Sequence, residues 1–211
     1  MTYKIIDNDR KESFEFFKTF TIPFFNVNYE LDITELHQYI KETNLRFFAS
    51  ILYLMLQTCN DVKEFRYRLR NDNLIEYDKV PISYTHINQK KELNFFRIEY
   101  TDNFNIFMEK YVDLESAVND RTIKLPKNEE DDAIRTSSSP WLTFKSVTPP
   151  VNMNSTSPII IWGKFYKDFN NRIMIPISVT AHHSLMDGIP ISMFNESFSE
   201  NMRKFIAEKS Y

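Results

Sequence analysis

Hydrophobic and polar positions change period several times along this chain, and each change marks an element. From Arg172 to Thr180, Ile173, Ile175, Ile177 and Val179 alternate with more polar neighbours, the period of a half-buried strand. The apolar stretch Pro158–Phe165 precedes it across a turn at Asp168–Asn171, so the two predict an antiparallel hairpin. Leu45–Val62 lacks Pro and Gly and carries Phe47, Phe48, Ile51, Leu52, Met55 and Leu56 on one wide face, which predicts a buried central helix. Helical spacing recurs in Arg10–Phe20 through Phe14, Phe17 and Phe20. It returns in Asp102–Val118 through Phe104, Phe107, Met108 and Tyr111, and again in Met193–Phe205. Asp32 followed by Glu35 has the form of a helix N-cap with a reciprocal acidic partner, and opens a helix through Leu36 and Ile40 to about Glu42. Thr21–Ile33 reads as extended. Leu74–Tyr77, Val80–His86 and Phe95–Ile98 read as strands, with turns at Asn71–Asn73 and Tyr77–Lys79. Two stretches read as loops: Thr148–Pro158, and Lys124–Asp132, whose acidic run Glu129–Asp132 is expected to be solvated.

No repeat and no Gly/Ser-rich linker divides the 211 residues, so one domain over 1–211 is expected. With 42% apolar and 15% aromatic residues the chain is too apolar for disorder. A net charge of -3 without a basic block argues against nucleic acid as a partner. Cys59 stands alone, which excludes an intrachain disulfide and a cysteine-based metal cluster. Met1–Asp7 has no signal-like apolar region, and the longest apolar run, near Ile51–Leu56, is too short to span a bilayer. A cytoplasmic protein without membrane attachment is the expectation.

The candidate chemistry sits where the Arg172–Thr180 strand runs out, at His182-His183-Ser184-Leu185-Met186-Asp187-Gly188-Ile189-Pro190. Two of the four histidines and one of the two glycines fall here. A neutral imidazole can take a proton from a hydroxyl when its tautomer and orientation are fixed. A carboxylate four residues on can hold the local backbone, and Gly188 would permit positive φ or close backbone approach. A bare His-x-x-x-Asp would most often be a solvent-facing turn. Metal chemistry is not expected: adjacent histidines on an extended chain face opposite ways, and only His37 and His86 remain as partners. The triplet Ser137-Ser138-Ser139 before Pro140 reads by itself as a turn.

His182–Gly188 resembles the His-His-x-x-x-Asp-Gly signature of the chloramphenicol acetyltransferases and their relatives, the dihydrolipoyl acyltransferases. Thr136–Phe144 resembles the family's Ser-x-x-Pro-Trp segment, with Ser137 as the matched serine. Asn8–Phe17 resembles its amino-terminal segment, with Arg10 matching an arginine that pairs with the motif aspartate through its planar fork. The resemblance runs from about Arg10 to Phe205, with the motifs in the family's order. It implies an α+β fold, a two-layer sandwich of helices on a mixed, largely antiparallel sheet. It also implies a homotrimer whose active sites lie at subunit interfaces, acetyl-CoA as co-substrate, and no metal. The partner is a small-molecule hydroxyl acceptor, chloramphenicol or similar.

By the same resemblance His183 is the general base and Ser137 donates to the oxyanion. Asp187, Arg10 and Gly188 support the histidine turn, with His182 a supporting residue also. Phe16, Phe17, Phe25, Phe95, Phe96 and Ile161 form the acceptor pocket, and Trp141 and Phe165 lie on the coenzyme side, Trp141 alternatively being core. The departures are Phe17 and Phe165 for tyrosine, Ile161 for threonine, and Met186-Asp187-Gly188-Ile189-Pro190 for Cys-Asp-Gly-Phe-His. Each change at Phe17, Phe165 and Ile161 removes a polar group from the site. Direct acetyl transfer to a hydroxyl of chloramphenicol, an antibiotic-resistance activity, is the leading expectation. The alternatives are a different hydroxyl acceptor, or a weakly active or inactive ligand-binding protein. A lipoyl-dependent acyltransferase core ranks lowest, because lipoyl and subunit-binding regions are not found in the chain.

Overall fold

The computed structural model describes residues 1–7, 10–87, 91–120 and 131–209. Its centre is strand β10 (Ile173–His182), which pairs antiparallel with β2 (Phe24–Asp32) on one side and β8 (Ile159–Gly163) on the other. Beyond β8 come β7 (Ile134–Ser139), β5 (Ile82–Ile87) and β6 (Leu93–Ile98), and the short β9 (Tyr166–Lys167) pairs the start of β10. β7 runs parallel to both β5 and β8, and the remaining pairs are antiparallel. The fold is therefore α+β, with a mixed, mostly antiparallel sheet.

β10 is buried at every position after Ile173, not half-buried as its alternation predicts. Ile175, Ile177, Val179 and Ala181 pack into the core. The alternate positions are buried because another segment crosses them. Ser178 donates to the Val147 carbonyl at 2.9 Å, and the Asn26 amide donates to Ser178 (2.8 Å) and Thr180 (2.7 Å). Polar side chains on a strand thus mark a hydrogen-bonded interface here, not solvent.

The helices are α1 (Lys11–Phe17), α2 (Thr34–Thr43), α3 (Phe47–Asp61), α4 (Phe104–Asp120) and α5 (Gly188–Lys209). The expected central helix is α3, which buries eleven of its fifteen residues and packs on α5. α1 is shorter than predicted and buries Phe14 alone, leaving Phe20 exposed past its end. The N-cap of α2 falls on Ile33, one residue later than predicted. Asp32 nevertheless holds that helix start, accepting from the Thr34 N–H (3.0 Å) and hydroxyl (2.6 Å). α5 begins earlier than predicted, because Asp187 caps it.

A second sheet, β1 (Tyr3–Ile5), β4 (Asn73–Tyr77) and β3 (Tyr67–Arg70), lies outside the predicted strands except at β4. Its β3–β4 turn has positive φ at both Asn71 (49°) and Asp72 (61°), the form that matches strand twist in a two-residue hairpin. Residues 124–130 of the expected acidic loop, and Asn8 and Asp9 of the amino-terminal segment, lie outside the described residues. Asp131 corrects the solvated reading of that loop. It is buried and grips Arg70 (Oδ2 to Nη1, 2.7 Å), because a neighbouring cation repays its desolvation. Among the described residues no helix is long and apolar enough to cross a membrane.

Candidate active site

The end of β10 builds one half of the candidate site. His182 still pairs Phe24 of β2, and His183 then leaves the sheet with its N–H on the Pro23 carbonyl at 2.8 Å. The His183 imidazole is flanked by two phenyl rings. Phe17 of α1 stacks on it at 4.1 Å and 12°, and Phe25 of β2 lies at 4.6 Å and 31°. Its Nδ1 is 3.2 Å from the Met186 carbonyl oxygen. A carbonyl can only accept, so a neutral ring carries its proton on Nδ1 and leaves the Nε2 lone pair free. Phe16 and Phe20 extend the apolar wall, each 5.1 Å from a neighbouring ring, and Phe16 is exposed.

Two bonds of Asp187 hold this turn. One oxygen accepts from the Ile189 N–H at 2.9 Å, capping α5, and the other meets Arg10 Nη2 at 2.9 Å. His182 is buried, and its Nδ1 accepts from the Ser184 N–H at 3.3 Å. Burial first, and then the neighbouring His183, pushes its pKa down to about 4, so it is neutral near pH 7. Gly188 corrects an expectation. It has no positive φ, and a Cβ there would meet nothing within 4 Å, because it is simply the first residue of α5.

The other half lies on the sheet face turned away from the core. Ile134 of β7 and Ile160 of β8 are core residues, so Ser137 and its register partner Ile161 share the opposite face. Thr85 of β5 shares it too, and its hydroxyl oxygen lies 2.8 Å from that of Ser137. Phe95 pairs Thr85 across β5 and β6 and is half-buried on this face. Phe96 does not belong with it. The pleat turns it into the core, 3% exposed and 5.2 Å from Tyr84, so it cannot line an accessible pocket. Trp141 is 66% exposed, which excludes its alternative reading as core. Phe165 packs on His37 (4.9 Å) and Phe47 (5.1 Å), with its neighbour Lys164 bonded to the Leu142 carbonyl. That crossing is close: a Cβ on Gly163 would come within 2.8 Å of the Leu142 oxygen.

The two halves do not meet within the chain. Ser137 is level with Ile161 on β8 and Ser178 on β10, and His183 lies five residues beyond Ser178. At about 3.3 Å per residue and about 4.8 Å per strand, Ser137 and His183 stand roughly 19 Å apart. The structure therefore brings His183 together with Phe17, Phe25, Arg10 and Asp187, and Ser137 together with Ile161, Phe95 and Thr85. Thr85 is the residue that sequence reasoning missed. The alternation of Ile82 and Tyr84 with Ser83 and Thr85 could have set it on the face opposite Tyr84, but only the register of β5 with β7 puts it beside Ser137.

The remaining candidates add no chemistry. Cys59 is fully buried, and burial raises its thiol pKa well above the ordinary value, the wrong direction for a nucleophile. Among the described residues no group of three or more His, Cys, Asp or Glu side chains could hold a metal ion.

Comparison with known proteins follows the same geometry. The family described as Chloramphenicol acetyltransferase matches residues 1–198. A Staphylococcus intermedius chloramphenicol acetyltransferase is 33% identical over 214 residues, covering 97% of this chain and 98% of that protein. An Escherichia coli chloramphenicol acetyltransferase is 27% identical over 191 residues, covering 89% and 87%. A solved chloramphenicol acetyltransferase superposes with a TM-score of 0.81 at 25% identity, covering 95% of this chain and 100% of that one. The dihydrolipoamide acetyltransferase of Azotobacter vinelandii shares the fold, with a TM-score of 0.69 at 19% identity over 93% and 88%.

Proposed function

From the premise that this chain belongs to the chloramphenicol acetyltransferase family and is an acyltransferase, we propose that it acetylates a hydroxyl of chloramphenicol, using acetyl-CoA. The observation that carries this is the His183 ring, held by two phenyl rings and by the Met186 carbonyl so that Nε2 is the free basic atom. Nε2 takes the hydroxyl proton as the acceptor oxygen bonds to the thioester carbonyl carbon. The carbonyl oxygen becomes an oxyanion, and Ser137 donates to it. Collapse breaks the carbon–sulfur bond, and the departing coenzyme thiolate takes the proton back from His183, which leaves the free thiol and the neutral base. A positioned base is typically worth roughly 10²–10⁴ in rate, and one oxyanion donor roughly 10²–10³. Transfer is direct, since Cys59 is sealed in the core.

Because Ser137 and His183 are far apart in one chain, a complete site takes His183 from one copy and Ser137 from its neighbour. A closed homotrimer with three such sites fits this arrangement. The acceptor lies between the phenylalanines around His183 and the face bearing Ile161 and Phe95, and the coenzyme approaches along Trp141 and Phe165. The use of acetyl-CoA as co-substrate supports a cytoplasmic location.

The test is free-thiol release from acetyl-CoA with and without chloramphenicol, beside His183→Ala. Chloramphenicol-dependent release that falls at least a hundredfold in the variant is expected. Full turnover in the variant would refute the role of His183. A second reading is favoured by Phe17 and Ile161, whose side chains offer no polar atom to a ligand. It is a different, more apolar hydroxyl acceptor, or a protein that binds such a ligand without efficient turnover. Binding of chloramphenicol without thiol release would select the ligand-binding form.

A further inference from the structure

Resting on the role of Ser137 proposed above, we infer that Thr85 is a positioning residue that arms Ser137 as the oxyanion donor. The two hydroxyl oxygens are 2.8 Å apart, within the range of an O–H···O bond, and either can donate. A serine hydroxyl has one proton. If Ser137 gives it to Thr85, nothing is left for the substrate. If Thr85 donates instead, the Ser137 proton is free to point at the developing charge. An oxyanion above Ser137 selects the second arrangement, and only the hydroxyl hydrogens have to rotate. A hydroxyl that accepts one hydrogen bond is also a stronger donor in the next.

The backbone makes this pairing rigid. β5 and β7 are parallel, with Tyr84 level with Thr136, so Thr85 and Ser137 are the next positions on the two strands. Thr136 ties the same strands by donating to the Ser83 carbonyl at 2.9 Å. Tyr84 on the other face is fully buried, which holds β5 at that depth. Threonine is suited to the task because its branched Cβ restricts χ1, so its oxygen is held where a serine's could swing away. Ile161, level with Ser137 on the far side, offers no hydroxyl. Among the described residues Thr85 is thus the side chain shown bonding to the Ser137 oxygen.

The experiment compares the full-length protein with Thr85→Val, Thr85→Ser, Ser137→Ala and the double variant Thr85→Val/Ser137→Ala. The readouts are kcat and KM for chloramphenicol, with a melting curve for each. Thr85→Val keeps the shape and removes the hydroxyl. It is expected to lower kcat about tenfold, the scale of one neutral hydrogen bond, with KM and melting temperature unchanged. Thr85→Ser should recover most of that loss. In the Ser137→Ala background Thr85→Val should cost nothing more, because a residue that acts through Ser137 has nothing left to act on. A wild-type kcat in Thr85→Val beside a crippled Ser137→Ala would overturn the inference and leave the functional reading intact. So would an equal loss in both backgrounds. Full activity in Ser137→Ala, or no turnover by the unaltered protein, would overturn the functional reading, and this inference with it.

Discussion

The His183 turn and the Ser137 strand are two solutions to placing a reactive atom. The turn is closed within the chain. Its ring is packed on two phenyl groups, its Nδ1 faces a carbonyl three residues on, and Asp187 ties the next helix to Arg10. The strand is open. Ser137 is half-buried on a sheet face, aligned by register with Ile161 and touched by Thr85. One half orients its group by packing around it, and the other by the regularity of the sheet beneath it. A base must have its tautomer selected, which requires contacts all round the ring. A hydroxyl rotor needs only a fixed oxygen, since the charge it stabilises turns the proton. The proposed reaction uses both, and one copy presents them too far apart to share a substrate.

The largest effect to seek is therefore restoration of activity between two dead proteins. His183→Ala and Ser137→Ala should each be at least a hundredfold slow. Unfolding and refolding them together at equal amounts should return activity to about a quarter of the sites of a cyclic assembly, those that combine an intact histidine with an intact serine from the neighbour. If the mixture stays as slow as its parts, the two groups do not complete each other across an interface.

The closed half should also show itself in acid. His182 is neutral when folded, with its pKa pushed down by burial and by His183 to about 4, against about 6.5 in an unfolded chain. Between these values the unfolded state binds a proton that the native state refuses. Stability is then fully present above pH 6.5 and is lost as pH falls toward 4, by about 2 kcal/mol. Denaturant midpoints at pH 7 and pH 4.5 should show this slope, and His182→Gln should flatten it. An identical slope in the variant would assign the acid sensitivity to other groups.

What could be read in advance follows the same division. The His-His-x-x-x-Asp-Gly run was legible because its chemistry is local, whereas Arg10, far from Asp187 in sequence, was picked out only by the family resemblance. The hairpin and α3 were legible from period alone, whereas Ser137–Ser139, read by itself as a turn, lies in β7, and the open face of Ser137 follows only from register with β8. Phe95 and Phe96 show where that reading failed. Both are aromatic and adjacent, and only the phase of β6 in the sheet turns one outward and the other into the core. Asp131 failed for a different reason. An acidic run reads as solvated unless its partner is known, and Arg70 comes from a hairpin sixty-one residues earlier. Thr85 carried no motif at all, since its meaning arises from register with β7.

The two glycines give the finest form of the comparison, because one lies in each half. Gly163 ends β8, level with Ser139, where the segment after Ser137 crosses it. A Cβ there would sit 2.8 Å from the Leu142 carbonyl oxygen and from Pro176 Cγ, and 2.9 Å from Phe144 Cδ1. Two of these are a backbone atom and a ring with no freedom to retreat, so Gly163→Ala must lift the crossing segment off the sheet. A cost of about 1–2 kcal/mol is expected. Gly188 sits in the motif itself, yet a Cβ on it meets open space and its φ is not positive. Gly188→Ala should lie within about 0.5 kcal/mol of neutral in the folding of the chain. The two should be compared by denaturation at one protein concentration, because assembly would shift both midpoints. If Gly188→Ala unfolds readily, the turn depends on a backbone freedom that the folded chain does not display. If it folds normally but loses activity, the glycine serves what packs against it from outside the chain: the substrate, or the neighbouring copy proposed to complete the site.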